Sequence, residues 1–362
     1  MKPLIGYDWP EGQCKQVAYI SQDHHIHEFS VGVGGPWIHT NLTQISSAPV
    51  ASSRFLVGFA WPEGGTKQVA YLAPDGHVHE LWVSVNGTWQ HTDVSALTGA
   101  PPAIRVTAGY SWAEGHSKNI VFVGDDHHIH ELSAQVGKQW QHVDLTAITN
   151  APLPGSYFMV GYAFSAGRSK QVTYVGQDGH IHELYVEAGG EWQHVDLTML
   201  THAPTAVDLM VGYEWPEAQC KQVAFVGEDR HIHELYMAVG QPWQHVDLHA
   251  ITNAPPATNV LAGYTWPAGH CKQIAFVGQD SCIYEVSVVA GGMWQCVNLT
   301  ELSQAPITAI TSLAGFAWSA GDTKQVAYVG DDGEIRELWM PRTGNWNYTD
   351  LSQIMMAVPA RF

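Results

Sequence analysis

The chain has 362 residues, of which 45% are hydrophobic and only 14% are charged, so it is able to bury a substantial core. Its 34 acidic and 16 basic residues give a formal net charge of −18, which excludes nucleic acid and anionic membrane surfaces as expected partners, since both attract positive protein surfaces. No apolar run reaches the roughly 18 residues of a membrane-spanning helix, so we expect no membrane insertion. No secretory signal is visible either, so we expect a cytoplasmic or non-classically released protein.

One unit recurs along the whole chain. Each copy opens with a marker of the form G-[YF]-x-[WF] and continues with a Lys followed by Gln or Asn. Copies that lie 51 or 52 residues apart begin at Gly6, Gly58, Gly109, Gly161, Gly212, Gly263 and Gly315. Because four strand-like runs separated by turn residues make up each copy, the sequence predicts an all-β, seven-bladed β-propeller with four antiparallel strands per blade. We expect residues 1–362 to form this single domain, closed by blade seven packing on blade one.

The first run of a copy, "YFMVGYAF" in copy four, alternates small and large residues, as expected of a strand near a ring axis. An aromatic residue ends this run. Its flat ring could cover the apolar face of a sugar, although core packing is an equally simple role. The candidates taken as sugar contacts are Trp61, Trp112 and Trp215.

The second run, "KQVTYVG" in the same copy, carries the recurring Lys and a neighbouring amide. An amide side chain is able to hydrogen-bond with sugar hydroxyls. The candidates are Gln68, Gln171 and Gln222.

The third run, "HIHELYV", contains a Glu that is present in all seven copies. A carboxylate in the middle of a strand covered on both faces needs a partner. Two partners remain open, namely the Lys 13 residues earlier in the same copy, or a sugar hydroxyl in a groove between blades. The candidate sugar ligands are Glu28, Glu80, Glu131, Glu183 and Glu234.

The fourth run, "EWQHVDLT", begins with a Trp that is also present in all seven copies, and Trp89, Trp140 and Trp192 are candidate groove walls. The fourth run also carries a His. Together with the two histidines of the His-x-His-Glu segment on the third run, it forms a set of three that could ligate zinc. In copy six, Cys282 and Cys296 replace the first and third of these positions, so we expect the two residues to be in contact.

The segment "KQVAYVGDDGEIRELW", followed by "GNWNYTDL", resembles a blade of the fucose-specific-lectin superfamily of fungal and bacterial β-propellers. The resemblance implies saccharide sites between neighbouring blades, multivalency, fucose as the candidate sugar and no catalysis. In the fungal members an Arg on the second strand and a Glu on the third hold the sugar. The Glu matches Glu28 and its six counterparts, whereas the Arg position holds Gln or Asn here.

The sequence therefore predicts a multivalent lectin that binds glycans or glycoconjugates and needs no cofactor. No nucleophile, P-loop or dinucleotide fingerprint occurs, and the chemistry-bearing residues recur around the ring, so we expect no enzyme activity. The alternatives are a metal-binding propeller or metalloenzyme that uses the histidines, and a protein–protein interaction scaffold. An oligomer is compatible with the sequence.

Overall fold

A computed structural model describes residues 4–360, without the side chains of residues 157, 208 and 259. Blade one contains β1 (Leu4–Trp9), β2 (Cys14–Ile20), β3 (Ile26–Gly32), β4 (Ile38–Asn41) and α1 (Leu42–Ile45). Blade two contains β5 (Leu56–Trp61), β6 (Thr66–Leu72), β7 (Val78–Ser84), β8 (Gln90–Asp93) and α2 (Val94–Thr98). Blade three contains β9 (Ala103–Trp112), β10 (Ser117–Gly124), β11 (Ile129–Gln135), β12 (Gln141–Asp144) and α3 (Leu145–Thr149). Blade four contains β13 (Pro154–Phe164), β14 (Ser169–Gly176), β15 (Ile181–Glu187), β16 (Gln193–Asp196) and α4 (Leu197–Thr201).

The last three blades repeat the same order of elements. Blade five contains β17 (Ala206–Trp215), β18 (Cys220–Gly227), β19 (Ile232–Ala238), β20 (Gln244–Asp247) and α5 (Leu248–Thr252). Blade six contains β21 (Ala257–Trp266), β22 (Cys271–Gly278), β23 (Ile283–Val289), β24 (Gln295–Asn298) and α6 (Leu299–Ser303). Blade seven contains β25 (Ile310–Trp318), β26 (Thr323–Gly330), β27 (Ile335–Pro341), β28 (Asn347–Asp350) and α7 (Leu351–Met355).

In every blade the four strands are hydrogen-bonded in chain order and run antiparallel, which confirms the predicted seven-bladed β-propeller. The hydrophobic core lies between blades. One cluster, for example, joins Ala108 and Tyr110 of blade three to Val172 and Tyr174 of blade four. Because each sheet is covered on both faces, its second strand is buried along nearly its whole length, as in β14.

A short helix follows the fourth strand of every blade, a feature that the sequence analysis missed. Its N-terminus is capped by an Asp or Asn whose side chain accepts a backbone hydrogen bond, as Asp196 does from Met199 N. These helices have four or five residues, and no helix among residues 4–360 is long and apolar enough to span a membrane.

The marker glycine of each copy packs against the aromatic first-strand residue of the preceding blade. A Cβ atom at Gly161 would lie 2.5 Å from Tyr110 Cε1 and 3.1 Å from Ala108 Cβ. The same arrangement places Gly212 against Tyr162. A glycine is therefore needed because the neighbouring ring occupies the space of a side chain.

Blade seven closes the ring on blade one without sharing a strand. Lys15 Nζ of blade one lies 2.7 Å from a carboxylate oxygen of Glu337 in blade seven, and Ser319 N donates to Asp8 Oδ2. The end of the chain adds a bridge between Ser21 and Ala360. These contacts agree with the expected closure by packing.

Candidate functional site

A buried ion pair lies between each blade and the next. The third-strand Glu of one blade accepts a hydrogen bond from the second-strand Lys of the following blade, and both side chains are almost completely buried. The seven pairs are Glu28–Lys67, Glu80–Lys118, Glu131–Lys170, Glu183–Lys221, Glu234–Lys272, Glu285–Lys324 and Glu337–Lys15.

Of the two partners left open for the Glu, the Lys of its own copy is excluded. Lys67 lies opposite Val83 in the sheet, whereas Glu80 lies opposite Ala70. Val83 and Glu80 are three residues apart on one strand, so Lys67 and Glu80 point to opposite faces. Each Glu consequently meets the Lys of the next blade, and the pair joins two blades.

A tyrosine from the first strand of the same blade completes the carboxylate's hydrogen bonds. Tyr110 Oη donates to Glu131 Oε2 at 3.0 Å, and burial together with the Glu131 charge raises the pKa of Tyr110 well above its usual value. The first-strand Tyr was not among the site residues predicted from the sequence. Blade two has Phe59 in this position, and there burial raises the pKa of Glu80 despite the opposing charge of Lys118.

Two aromatic side chains flank the Lys of each pair. Lys170 Nζ lies 5.2 Å from the ring centroid of Trp112 at the end of β9, and 5.2 Å from that of Trp192 before β16. The predicted first-run and fourth-run Trp residues are thus brought together, but they come from neighbouring blades. Trp61 and Trp140 flank Lys118, Trp9 and Trp89 flank Lys67, and Trp215 and Trp294 flank Lys272.

The candidate amides are buried in the second strands, and Gln222 borders the cavity between blades five and six. Gln68, Gln171 and Gln222 are 0% exposed, so the described conformation does not offer them to solvent. The Nε2 atom of Gln171 donates to Ser169 of its own strand, and its Oε1 atom has no hydrogen-bond partner among the described residues.

Cavities open between adjacent blades above the ion pairs. A cavity of about 520 Å³ between blades three and four is lined by Trp112, Trp192, Lys170 and Glu131. Similar cavities of about 450 Å³ and 370 Å³ lie between blades four and five and between blades five and six. We call each such space an inter-blade groove.

An exposed aliphatic residue on each short helix is a further feature missed from the sequence. Ile148 of α3 lines the cavity between blades three and four, and Ile251 of α5 lines that between blades five and six. The seven equivalent residues are between 52% and 66% exposed: Ile45, Leu97, Ile148, Leu200, Ile251, Leu302 and Ile354. Their fixed spacing in the repeat, three residues after the buried Leu or Val that begins each helix, was the available signal.

The recurring histidines lie on the opposite face of each sheet from the Glu. His79 precedes Glu80 on β7, so the two side chains point to opposite faces. His79 Nε2 contacts Asp75, and its Nδ1 lies 2.7 Å from Nε2 of His91. In the five copies that carry three histidines, the second and third therefore form a hydrogen bond, whereas the cysteines of copy six stand at the first and third positions.

The same geometry overturns the expected contact between Cys282 and Cys296. Cys296 lies opposite Val286 in the sheet, and Val286 follows Cys282 by four residues. Both thiols are free. At about 3.3 Å per residue this places the two cysteines well beyond disulfide range.

Blades two to five each gather three or four potential metal donors within 4.8 Å, for example Asp75, His77, His79 and Asp93. In the described structure these donors satisfy one another, since His77 Nδ1 lies 2.9 Å from Asp93 and His79 Nε2 lies 3.0 Å from Asp75. The clusters therefore have a sufficient structural role as hydrogen-bond networks.

We expect acid to destabilise the protein through these networks. Burial lowers the pKa of the third histidine in each of blades one to five, namely His39, His91, His142, His194 and His245. In all of these except His39, a neighbouring imidazole lowers the pKa further. Burial and the adjacent His39 lower the pKa of His27 to about 4. The unfolded chain therefore takes up protons below about pH 6.5 that the folded chain does not, so stability falls towards pH 4. Hydrogen bonds to Asp93 and Asp196 raise the pKa of His77 and His180, which opposes part of this loss.

The thermal unfolding midpoint should fall by several degrees between pH 7.5 and 4.5. A variant with Gln at positions 91, 142, 194 and 245 should show a flatter pH profile. An equally steep profile in that variant would assign the acid sensitivity to other groups.

Comparisons with known proteins support the architecture. No protein-family model matches the chain, and no curated protein matches its sequence. The BP39L lectin from Burkholderia pseudomallei superposes with a TM-score of 0.71 at 15% identity, covering 95% of this chain and 97% of the lectin.

The chain shares the β-propeller fold of solved lectins. The protein AofleA from Arthrobotrys oligospora superposes with a TM-score of 0.56 at 14% identity, and the match covers 82% of this chain and 86% of AofleA. The lectin of Aleuria aurantia is described as a six-bladed β-propeller with a novel fucose recognition mode. It superposes with a TM-score of 0.52 at 13% identity, and the match covers 81% of this chain and 93% of the lectin.

Proposed function

We propose that the protein is a multivalent lectin that binds neutral sugars in its inter-blade grooves and has no catalytic centre. The observation that carries the proposal is the repeated pairing of two aromatic side chains, from neighbouring blades, around a Lys–Glu pair. Trp192 supplies an accessible apolar face of the kind on which a pyranose ring packs, Trp112 lies behind it, and Lys170 Nζ supplies a charged hydrogen-bond donor between the two rings.

The volumes of the grooves are suited to small ligands. Cavities of about 370 to 520 Å³ fall within the range of small-molecule sites. SapL1 and the Aleuria aurantia lectin have both been solved in complex with a methyl fucoside, which makes fucose the first sugar to test.

The proposed contacts are ordered by accessibility. Trp89, Trp140 and Trp192 are half-buried and form the reachable wall, whereas Trp61, Trp112 and Trp215 are buried behind it. In the described conformation the carboxylates Glu28, Glu80, Glu131, Glu183 and Glu234 lie at the floor and are no more than 2% exposed. We propose that they hold the Lys in place and accept a sugar hydroxyl only at their remaining lone pairs. We propose that the fully buried Gln68, Gln171 and Gln222 support this floor, with Gln222 also bordering the cavity between blades five and six.

The decisive experiment removes aromatic walls and leaves the ion pairs intact. A variant with Leu at Trp192, Trp243 and Trp294 should keep its circular dichroism spectrum and lose about 10²-fold in avidity for a glycan-coated surface, because multivalent binding multiplies the weakening of single sites. Ile307→Ala removes an exposed aliphatic residue that lines none of the described cavities and should bind as the wild type does. Full avidity in the folded triple variant, or no glycan bound by the wild type, would contradict the proposal.

A further inference from the structure

Blades two to five share a set of two histidines and two aspartates that line none of the cavities described above. The histidines are the first and second of the His-x-His-Glu segment. One Asp lies two residues before the first His, in the turn after the second strand, and the other Asp ends the fourth strand. The four sets are Asp75/His77/His79/Asp93, Asp126/His128/His130/Asp144, Asp178/His180/His182/Asp196 and Asp229/His231/His233/Asp247.

The fold gathers the donor atoms of each set around one point. In blades two and five, one donor atom from each of the four residues lies within 4.8 Å of the other three, and in blades three and four this holds for three of the four residues. In blade five, His231 Nδ1 lies 2.9 Å from Asp247 and 3.6 Å from Asp229. The Nε2 atom of His233 lies 3.1 Å from Asp229.

These separations are close to those of a tetrahedral metal site. Zinc bonds of about 2.0–2.1 Å to nitrogen and oxygen hold neighbouring ligand atoms about 3.3 Å apart. Small side-chain rotations are therefore enough to direct all four donors of blade five onto one ion.

Hydrogen bonds outside each set hold its ligands in place. Nδ1 of His233 lies 3.0 Å from Nε2 of His245, so His245 is able to accept the Nδ1 proton while Nε2 of His233 binds an ion. Burial lowers the pKa of His245, which keeps that ring a neutral acceptor at pH 7. Asp247 Oδ1 accepts from Ala250 N, which leaves Oδ2 directed at the set. Supporting hydrogen bonds of this kind are usual for metal ligands.

Charge and access also suit a divalent ion. Two carboxylates and two neutral imidazoles carry two negative charges, which one divalent cation balances. In blade two the side chains of Asp75 and His77 are 46% and 36% exposed, so an ion is able to enter from solvent. Two nitrogen and two oxygen donors favour zinc over magnesium and calcium, which prefer oxygen alone.

We propose that blades two to five each bind one zinc ion through the two histidines and the two aspartates of the set. The proposal goes beyond the lectin function and does not depend on it. The hydrogen-bond network described above keeps the donors assembled in the absence of an ion. A bound ion ties the turn after the second strand to the end of the fourth strand, so zinc stabilises the folded blade.

Blades one, six and seven lack the complete set and provide an internal comparison. Blade one has Asn41 in place of the second Asp, and blades six and seven have Tyr284 and Arg336 in place of the second His. In blade one Asp23 hydrogen-bonds to Ser21 and lies 3.8 Å from Nε2 of His27, an atom that has no hydrogen-bond partner among the described residues. We expect no zinc in these three blades.

The test variant combines Asp93→Asn, Asp144→Asn, Asp196→Asn and Asp247→Asn. Asn already caps the short helix at the equivalent position of blades one and six, as Asn41 and Asn298, so the variant should fold. The full chain, without a histidine tag and freed of metal by EDTA, is titrated with zinc chloride at pH 7.5 by calorimetry. Its thermal unfolding midpoint is measured with and without zinc.

The wild type should bind four zinc ions per chain, and saturating zinc should raise its midpoint by several degrees. The fourfold variant should bind none of them and show a midpoint that zinc does not change, and Asp247→Asn alone should bind three. Asp23→Asn is the matched control in blade one and should still bind four. Wild type that binds no zinc, or a folded fourfold variant that still binds four, would overturn the proposal.

Discussion

Replacing Lys15 with Met is expected to destabilise the protein by about 3–5 kcal/mol, the cost of leaving a buried carboxylate without its charged partner. Lys15 donates to both oxygens of Glu337, at 2.8 and 2.7 Å, and this pair closes the ring. Blade seven has Phe316 where most blades have the Tyr that donates to the Glu. Glu337 would therefore lose its only described donor. The measurement is the midpoint of urea unfolding at pH 7.

Lys170→Met is the matched control, since it breaks the equivalent pair in a groove where Tyr110 still donates to Glu131. Its loss should be smaller. The double variant Lys15→Met/Glu337→Leu should recover much of the stability, because both charges are then removed. Equal losses at positions 15 and 170 would show that neither ring closure nor the Tyr hydrogen bond matters.

Gly161→Val should cost about 2–3 kcal/mol and displace the first-strand ring of the preceding blade. A Cβ atom at this position meets Tyr110 Cε1 at 2.5 Å, and the Tyr110 ring is fixed by its hydrogen bond to Glu131. Overpacking would therefore also disturb the ion pair. The expected result is a lower urea midpoint, together with a changed near-ultraviolet spectrum from the moved tyrosine.

The control is Gly32→Val, because the nearest atom to a Cβ there is Gln13 O at 3.8 Å. That variant should unfold near the wild-type midpoint. Adding Tyr110→Leu to Gly161→Val should restore part of the lost stability by making room. If Gly161→Val unfolds like Gly32→Val, the proposed steric role of the marker glycine is wrong.

The architecture could be predicted from sequence because the repeat spacing is so regular. Gly161 and its counterparts, with four runs of strand-like periodicity per copy, specify seven four-stranded blades. The short helices were missed because segments such as "LTMLT" are too brief to show helical periodicity. Their signal was the preceding Asp, which caps the helix in most blades.

The partners of the site residues were less accessible to sequence reasoning. The choice between Lys and sugar as the partner of Glu80 depended on strand register, which placed the Lys of its own copy on the opposite face. Contacts between copies, such as Glu80 with Lys118 and Trp112 with Lys170, depend on how blades pack. Repetition conceals such contacts, because every copy contains both partners and the sequence does not show which copies meet.

The ion pairs also give the ring a direction. Each blade presents a carboxylate on one side and an ammonium group on the other, and these groups meet only when blades stack head to tail. An open arc of any length would leave one bare Glu at its leading end and one bare Lys at its trailing end. A closed circle leaves neither, so charge neutralisation penalises every open arc of these blades and favours the circle that joins Lys15 to Glu337.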